Sequence, residues 1–126
     1  MQETTAGPAH GGTGSVTIAD IVSLAAERYG ERPAARFKRD GEWREVSYTE
    51  LGETVSEIAR GLVDLGLEPG DRVALLCTTR VEWTYADFAI TSAGAVVVPI
   101  YPTNSPEECA WVAGNSESRF LVCEDA

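Results

Sequence analysis

Side chains that could carry out chemistry are sparse in this sequence of 126 residues. The one histidine, His10, stands in a leader rich in Gly, Thr and Ser, and the three cysteines, Cys77, Cys109 and Cys123, have no CxxC spacing. A zinc site requires a cluster of His, Cys or acidic ligands, and an activated Ser or Cys requires a base beside it. The folded part therefore offers no zinc site and no Ser–His or Cys–His pair, and we expect the cysteines to be buried, reduced thiols.

The segment "GGTGS", residues 11–15, has the glycine content of a phosphate-binding loop. Such a loop needs a strand before it, a helix after it and, in most cases, a lysine that follows the glycines. This segment has neither the preceding strand nor the lysine. We therefore predict a disordered tail over residues 1–16 and one folded region over residues 17–126.

Two short polar segments follow predicted strands, where ligands bind in open α/β sheets. The loop "YPTNS", Tyr101 to Ser105, is the better candidate for a ligand contact. We favour the interpretation that this loop is a turn fixed by proline, which only sets the direction of the next helix. Thr78 to Arg80 occupies the equivalent place after the preceding strand, and Arg80 could meet a phosphate, although a solvated side chain is the favoured interpretation.

Trp83, Tyr85 and Phe88 could form an aromatic platform for a ligand. Their helical spacing is more typical of side chains that fill a core, because aromatic residues supply much of the buried area of small domains. We therefore predict that these three side chains pack in the core.

Apolar spacing, helix caps and turn residues indicate the order of the elements. A helix is predicted from a cap at Thr17 to Tyr29, and a hairpin turns at Asp40-Gly41. A long helix runs from the capping box of Ser47 and Glu50 to about Leu65. The remaining predicted elements are strands near residues 72–77, 95–100 and 119–125 and helices near residues 81–93 and 106–115.

The second half of the chain thus alternates strand, helix, strand, helix and strand. Continuous apolar strands separated by helices indicate a parallel sheet with covered faces, so the predicted class is α/β: a parallel βαβαβ unit preceded by a helix, a β-hairpin and a long helix. The chain stops three residues after Cys123, where a further helix is expected. We expect a truncated domain that leaves a sheet edge and one sheet face exposed.

Composition narrows the class of partner. Hydrophobic residues make up 44% of the chain, which is typical of a globular protein, and the net charge of −10 disfavours binding to nucleic acid. No apolar run approaches the roughly 20 residues of a transmembrane helix, and the leader lacks the features of a signal peptide. The expectation is a cytoplasmic protein without a transmembrane segment, with peripheral membrane contact of a longer protein left open.

A series of short motifs resembles the N-terminal part of the AMP-forming acyl-CoA synthetases, and within them the long-chain fatty acid–CoA ligases. The first motifs lie in "EWREVSYTELGETVSEIARGLVDLGLEPGDRVALL", residues 42–76. Further ones are Glu82-Trp83, Gly94-Ala95 and "PIYPT", residues 99–103. The resemblance covers about residues 18–126, and its specificity lies in the order and separation of the motifs.

The resemblance implies a reaction in two steps that uses ATP, Mg²⁺ and coenzyme A. A fatty acid and ATP give an acyl-adenylate and pyrophosphate, and coenzyme A then displaces AMP. The family's phosphate loop, adenine motif, ribose-binding aspartate and catalytic lysine are absent from this sequence. The resemblance therefore places no catalytic, cofactor-binding or metal-binding residue at any position here, and we expect that this chain alone binds no cofactor and forms no acyl-CoA.

Two alternatives remain beside this interpretation. One is another adenylate-forming ligase that activates a different carboxylate, because no acid-binding pocket is recognised in this stretch. The other is a non-catalytic α/β module that binds a partner by strand addition at the open sheet edge. Such a module would be monomeric or form a defined complex, whereas a truncated domain would aggregate or bind apolar dyes. Acyl chain length and oligomeric state are not encoded by any of these motifs.

Overall fold

The computed structural model describes residues 12–125, which contain two sheets and four α-helices. The predicted tail over residues 1–16 lies mostly outside the described residues, as do His10 and the first glycine of "GGTGS". In order, the elements are a 3₁₀ turn (Ile18–Asp20), α1 (Ile21–Tyr29), β1 (Pro33–Arg39), β2 (Glu42–Ser47), α2 (Tyr48–Asp64), β3 (Arg72–Leu76), α3 (Val81–Ser92), β4 (Val96–Ile100), α4 (Pro106–Asn115) and β5 (Phe120–Cys123).

Serine caps set the start of two helices. The Ser47 hydroxyl accepts a hydrogen bond from the Glu50 amide at 3.1 Å, and the Glu50 carboxylate accepts one from the Ser47 amide at 2.8 Å. Ser105 and Glu108 repeat this arrangement at the start of α4. Each reciprocal pair satisfies amide groups that the first helical turn would leave without partners. The capping box predicted at Ser47 and Glu50 is confirmed.

The hairpin turn explains why the chain reverses between β1 and β2. Asp40 and Gly41 both adopt positive φ angles, 52° and 80°, which is the combination a two-residue hairpin turn with matching twist requires. The strands pair in antiparallel fashion from Arg39 opposite Glu42 to Pro33 opposite Ser47. The first predicted helix is the element that differs most, because its opening residues form a 3₁₀ turn before α1 begins at Ile21.

The second sheet has the strand order β4-β3-β5, and all its strands are parallel. The chain moves one strand to the side from β3 to β4, and then crosses back over β3 to reach β5. Right-handed crossovers in opposite directions place α3 and α4 on opposite faces of the sheet. The strand β3 therefore becomes the centre of the domain, although it comes first of the three in sequence.

The core is densest around β3 and α3. Val73 and Ala74 of β3 and Ala89 and Ile90 of α3 are fully buried. Ile90 packs with Val73, Leu67 and Ala95, and the same cluster takes in Phe120 and Val122 of β5. A second cluster, built on Val22, Val46, Leu51, Val55, Val81 and Ala89, joins α1, the hairpin and α2 to the outer side of α3.

The other face of the sheet is only partly covered. Val96 of β4 is 50% exposed and Leu121 of β5 is 56% exposed, and both lie on the face opposite Val73 and Val122. Helix α4 contains no buried residue, and its Trp111 is 67% exposed. The expectation of covered faces holds for β3 and is wrong for the two flanking strands. The expectation of an exposed sheet face is confirmed. Across residues 12–125 no helix is both long and apolar enough to cross a membrane.

The contact between α1 and α2 yields a prediction, because α2 contains two glycines in different surroundings. A Cβ on Gly52 would lie 3.0 Å from the Ala26 Cβ, whereas a Cβ on Gly61 would meet nothing within 4 Å. Gly61→Ala should raise the free energy of unfolding by about 0.5–1 kcal/mol through helix propensity alone. Gly52→Ala should lower it, because the steric cost at the helix contact exceeds that gain. Urea unfolding followed by circular dichroism measures both, and equal stabilisation by the two changes would contradict the close approach of α1 and α2.

Candidate functional site

The carboxyl ends of the parallel strands form the edge at which a ligand is expected. The connection after β3 passes to the α3 face, and the connection after β4 passes to the α4 face, so neighbouring connections diverge between these two strands. Such a divergence opens a crevice outside the sheet, where α/β proteins bind ligands. Residues Thr78–Arg80 and Tyr101–Ser105 follow β3 and β4 at this edge, and Glu124 follows β5.

Glu124 bonds to residues that follow the neighbouring strand β3. One carboxylate oxygen accepts hydrogen bonds from the Thr78 amide at 3.0 Å and from the Thr78 hydroxyl at 2.7 Å. The other oxygen lies 2.7 Å from Nη1 of Arg80. Because Glu124 and Thr78 follow adjacent strands, these bonds tie the end of β5 to the end of β3.

Glu82, in the first turn of α3, extends the network. Its carboxylate lies 2.8 Å from Nε of Arg80 and forms an ion pair with Arg39 of β1. The chain of contacts therefore runs from Glu124 through Arg80 and Glu82 to Arg39. It links the parallel sheet to the antiparallel hairpin at the same edge, and we refer to these residues, with Thr78, as the edge network.

The charge state of the edge network is fixed at neutral pH. The hydrogen bond from Arg80 is the main reason that the pKa of Glu82 falls to about 2, from an ordinary value of 4.5. The amide and hydroxyl of Thr78, followed by Arg80, lower the pKa of Glu124 to about 2. The same pairs raise the pKa of Arg80. The carboxylates of Glu82 and Glu124 are therefore ionised at neutral pH and paired with arginine.

The three cysteines lie at or near the same edge. All three are free thiols. Burial, followed by the nearby charge of Glu124, raises the pKa of Cys77, which keeps that thiol protonated and weakly nucleophilic. The prediction of buried thiols is wrong for Cys123, which is exposed, and incomplete for Cys77 and Cys109, which are half-buried. Cys123 is exposed because β5 is an edge strand and the sheet face that carries Cys123 is only partly covered.

The loop from Tyr101 to Ser105 stands apart from the edge network. The Asn104 amide donates to the Tyr101 carbonyl at 3.0 Å, and Ser105 caps α4. Tyr101 is exposed. Two small cavities at this edge are lined by the edge network and its neighbours, and neither is lined by residues 101–105. These contacts agree with the favoured interpretation of a turn that aims the next helix.

Arg80 is exposed, as the favoured interpretation expects, and two carboxylates also hold its guanidinium. Sequence reasoning missed Arg39, Glu82 and Glu124 as members of one cluster. Arg80 and Glu124 are 44 positions apart, and only the strand order brings them together. All three aromatic residues are half-buried. Tyr85 and Phe88 pack against the cluster between α1, the hairpin and α3, as predicted, whereas Trp83 is not among the residues packed there.

Comparison with known proteins identifies the family of this chain. The family model described as "AMP-binding enzyme" matches residues 22–126. The chain belongs to the AMP-binding enzyme family. Curated relatives include long-chain-fatty-acid–CoA ligase FadD15 of Mycobacterium bovis, 45% identical over 85 residues that make up 68% of this chain and 14% of that protein. Another is long-chain-fatty-acid–CoA ligase ACSBG1 of Bos taurus, 32% identical over 108 residues, 86% of this chain and 15% of that protein.

Solved structures of AMP-binding enzymes share the fold. The N-terminal subdomain of Klebsiella oxytoca NpsA, in complex with 3-hydroxyanthranilyl-AMSN, superposes with a TM-score of 0.78 at 28% identity over 86% of this chain and 27% of that one. The fatty acid AMP ligase from Legionella pneumophila gives a TM-score of 0.77 at 25% identity over 85% of this chain and 19% of that one. The chain therefore spans a small N-terminal share of these relatives.

No cluster of metal ligands is present in the part of the chain that the structure describes. Among residues 12–125 no three His, Cys, Asp or Glu side chains lie close enough together to hold a metal ion. The carboxylates of Glu82 and Glu124 are already paired with arginine. At this edge the charged side chains pair with one another and hold neighbouring elements together.

Thr78 provides a test of how the edge network lowers carboxylate pKa values. Thr78→Val removes the hydroxyl donor and keeps the amide donor, so the pKa of Glu124 should rise from about 2 towards 4.5. Because the folded-state pKa is depressed, the stability supplied by Glu124 is present above pH 4.5 and is lost as the pH falls towards 2. The variant should therefore lose that stability at a higher pH than the wild type.

Carbon-13 NMR titration of the Glu124 carboxyl measures the pKa, and thermal unfolding between pH 2 and 6 measures the stability. Thr79→Val is the matched control, because Thr79 lines the same cavity without contributing to the lowered pKa of Glu124. An unchanged titration of Glu124 in Thr78→Val would contradict the assigned contact.

Proposed function

We propose that this chain is the N-terminal portion of a long-chain fatty acid–CoA ligase. The observation that carries the proposal is the identity of 45% to a mycobacterial long-chain ligase together with 32% identity to a vertebrate one. In the proposed reaction a fatty acid and ATP give an acyl-adenylate and pyrophosphate, after which the thiol of coenzyme A displaces AMP. The protein would act in the cytoplasm with fatty acid and coenzyme A as its substrates.

This portion supplies scaffold to the enzyme. Its α/β sheet forms one wall of the crevice at the strand ends, and the edge network holds the loop after β3 against the hairpin. The positions that would contact ATP, Mg²⁺ and coenzyme A are assigned to the remainder of the protein, because the carboxylates at this edge are paired and its nearest thiol is protonated. Positioning of substrates by a rigid wall is a contribution that needs no reacting side chain.

The competing assignment within the same family is a ligase that activates a different carboxylic acid. NpsA is a structural neighbour with an aryl ligand, and it superposes on this chain as closely as the fatty acid AMP ligase does. The fold of this stretch therefore does not discriminate fatty acids from aryl acids, and sequence identity to the long-chain ligases favours the fatty acid.

The proposal is tested with a polypeptide that extends this chain to the length of its curated relatives. With ATP, Mg²⁺, coenzyme A and a series of fatty acids, it should form acyl-CoA, with kcat/KM at least tenfold higher for C16 or C18 acids than for benzoate. A preference for aryl acids would overturn the long-chain assignment and leave the family intact.

The chain of residues 1–126, assayed beside it, should show no fatty-acid-dependent exchange of pyrophosphate into ATP above background. Exchange by this chain alone would contradict the assignment of the reacting groups to other parts of the protein. A matched control is the extended polypeptide carrying Thr79→Val, which alters an exposed side chain at the edge and should retain full activity.

A further inference from the structure

An apolar cavity lies on the other side of α3 from the sheet. Its volume is about 290 Å³, it is partly open to solvent, and it lies between α1, the hairpin, the start of α2 and the first half of α3. Val22, Val46, Leu51 and Val81 are buried around it. It shares no lining residue with the cavities at the carboxyl edge except Val81, so it is distinct from the candidate site.

The chemistry of the lining disfavours charged ligands. None of the residues that line this cavity carries a charge, and its surface is mostly aliphatic or aromatic. An apolar cavity of about 150 Å³ binds benzene. A cavity of about 290 Å³ is roughly twice that size, which matches two fused aromatic rings.

Aromatic side chains give the cavity a preference among apolar molecules. Tyr29, Tyr48, Tyr85 and Phe88 all line it and are half-buried. The rings of Tyr29 and Tyr48 lie 5.0 Å apart between centroids and are tilted by 45°. Aromatic pairs favour tilted or offset arrangements, so a flat ring that enters here meets partners at favourable angles.

We propose that the cavity lined by Tyr29, Tyr48, Tyr85 and Phe88 is a binding site for a neutral bicyclic aromatic molecule. The proposal rests on the volume, the absence of charge and the aromatic lining, and it is independent of the proposed ligase reaction. Filling such a site restores the dispersion contacts that an unfilled apolar cavity lacks.

Naphthalene is the probe, since it is neutral and has two fused rings. Titration of the purified chain should show saturable binding, with intermolecular NOEs from naphthalene protons to the rings of Tyr29, Tyr48 or Tyr85. Ala34→Leu places a larger side chain in the lining and should weaken binding at least tenfold. Ala35→Leu lines the same cavity and serves as a second variant if the first fails to fold.

Two controls separate this site from other apolar surfaces. Ala59→Leu makes the same change in a neighbouring groove of about 410 Å³ between α1 and α2, and Leu121→Ser removes an exposed apolar side chain from the sheet face. Both should leave naphthalene affinity within twofold of wild type. Absence of saturable binding, or loss of binding in Leu121→Ser, would overturn the proposal.

Removal of residues 1–11 tests whether the leader occupies the cavity, because Thr13 lies in its lining. Equal affinity of the full and shortened chains supports a small-molecule site. Binding that appears only in the shortened chain would assign the cavity to the leader and overturn the proposal.

Discussion

The burial of β3 on both faces is the constraint on which the rest of this structure depends. Val73, Ala74 and Leu75 have almost no contact with solvent, and both neighbouring strands take their register from them. Ile90 of α3 packs directly on this strand and is fully buried. Replacing Leu75 by alanine would therefore be expected to cost about 2–5 kcal/mol, the usual range for a leucine in a tight core. The hairpin, α1 and α2 then assemble on the outer side of α3.

The placement of β3 also explains the character of the carboxyl edge. Because the chain crosses back over β3, the end of β5 lies beside the loop that follows β3, and Glu124 meets Thr78 and Arg80. The edge network uses its charges to join elements, and its carboxylates are ionised and paired. These ion pairs are consistent with the proposed role of this stretch as one wall of the crevice.

Local sequence signals predicted most helices, strands and turns. They did not predict which of these elements become neighbours in the fold. The capping boxes at Ser47 and Ser105 and the Asp40-Gly41 turn are encoded within four residues, so each could be identified from the sequence. The strand order, the pairing of Arg80 with Glu124 and the exposure of Cys123 depend on which strands become neighbours. The cap at Thr17 was likewise local, since the Asp20 carboxylate accepts a hydrogen bond from the Thr17 amide, but the first turn is 3₁₀ and α1 begins only at Ile21.

We propose that these residues build a wall of an adenylate-forming enzyme whose reacting groups lie in the remainder of the protein. Calorimetric titration of the chain with a non-hydrolysable analogue of a long-chain acyl-adenylate tests this division of roles. We expect no saturable binding by residues 1–126 and tight binding by the extended polypeptide under the same conditions. Saturable binding by this chain, abolished by excess ATP, would contradict it.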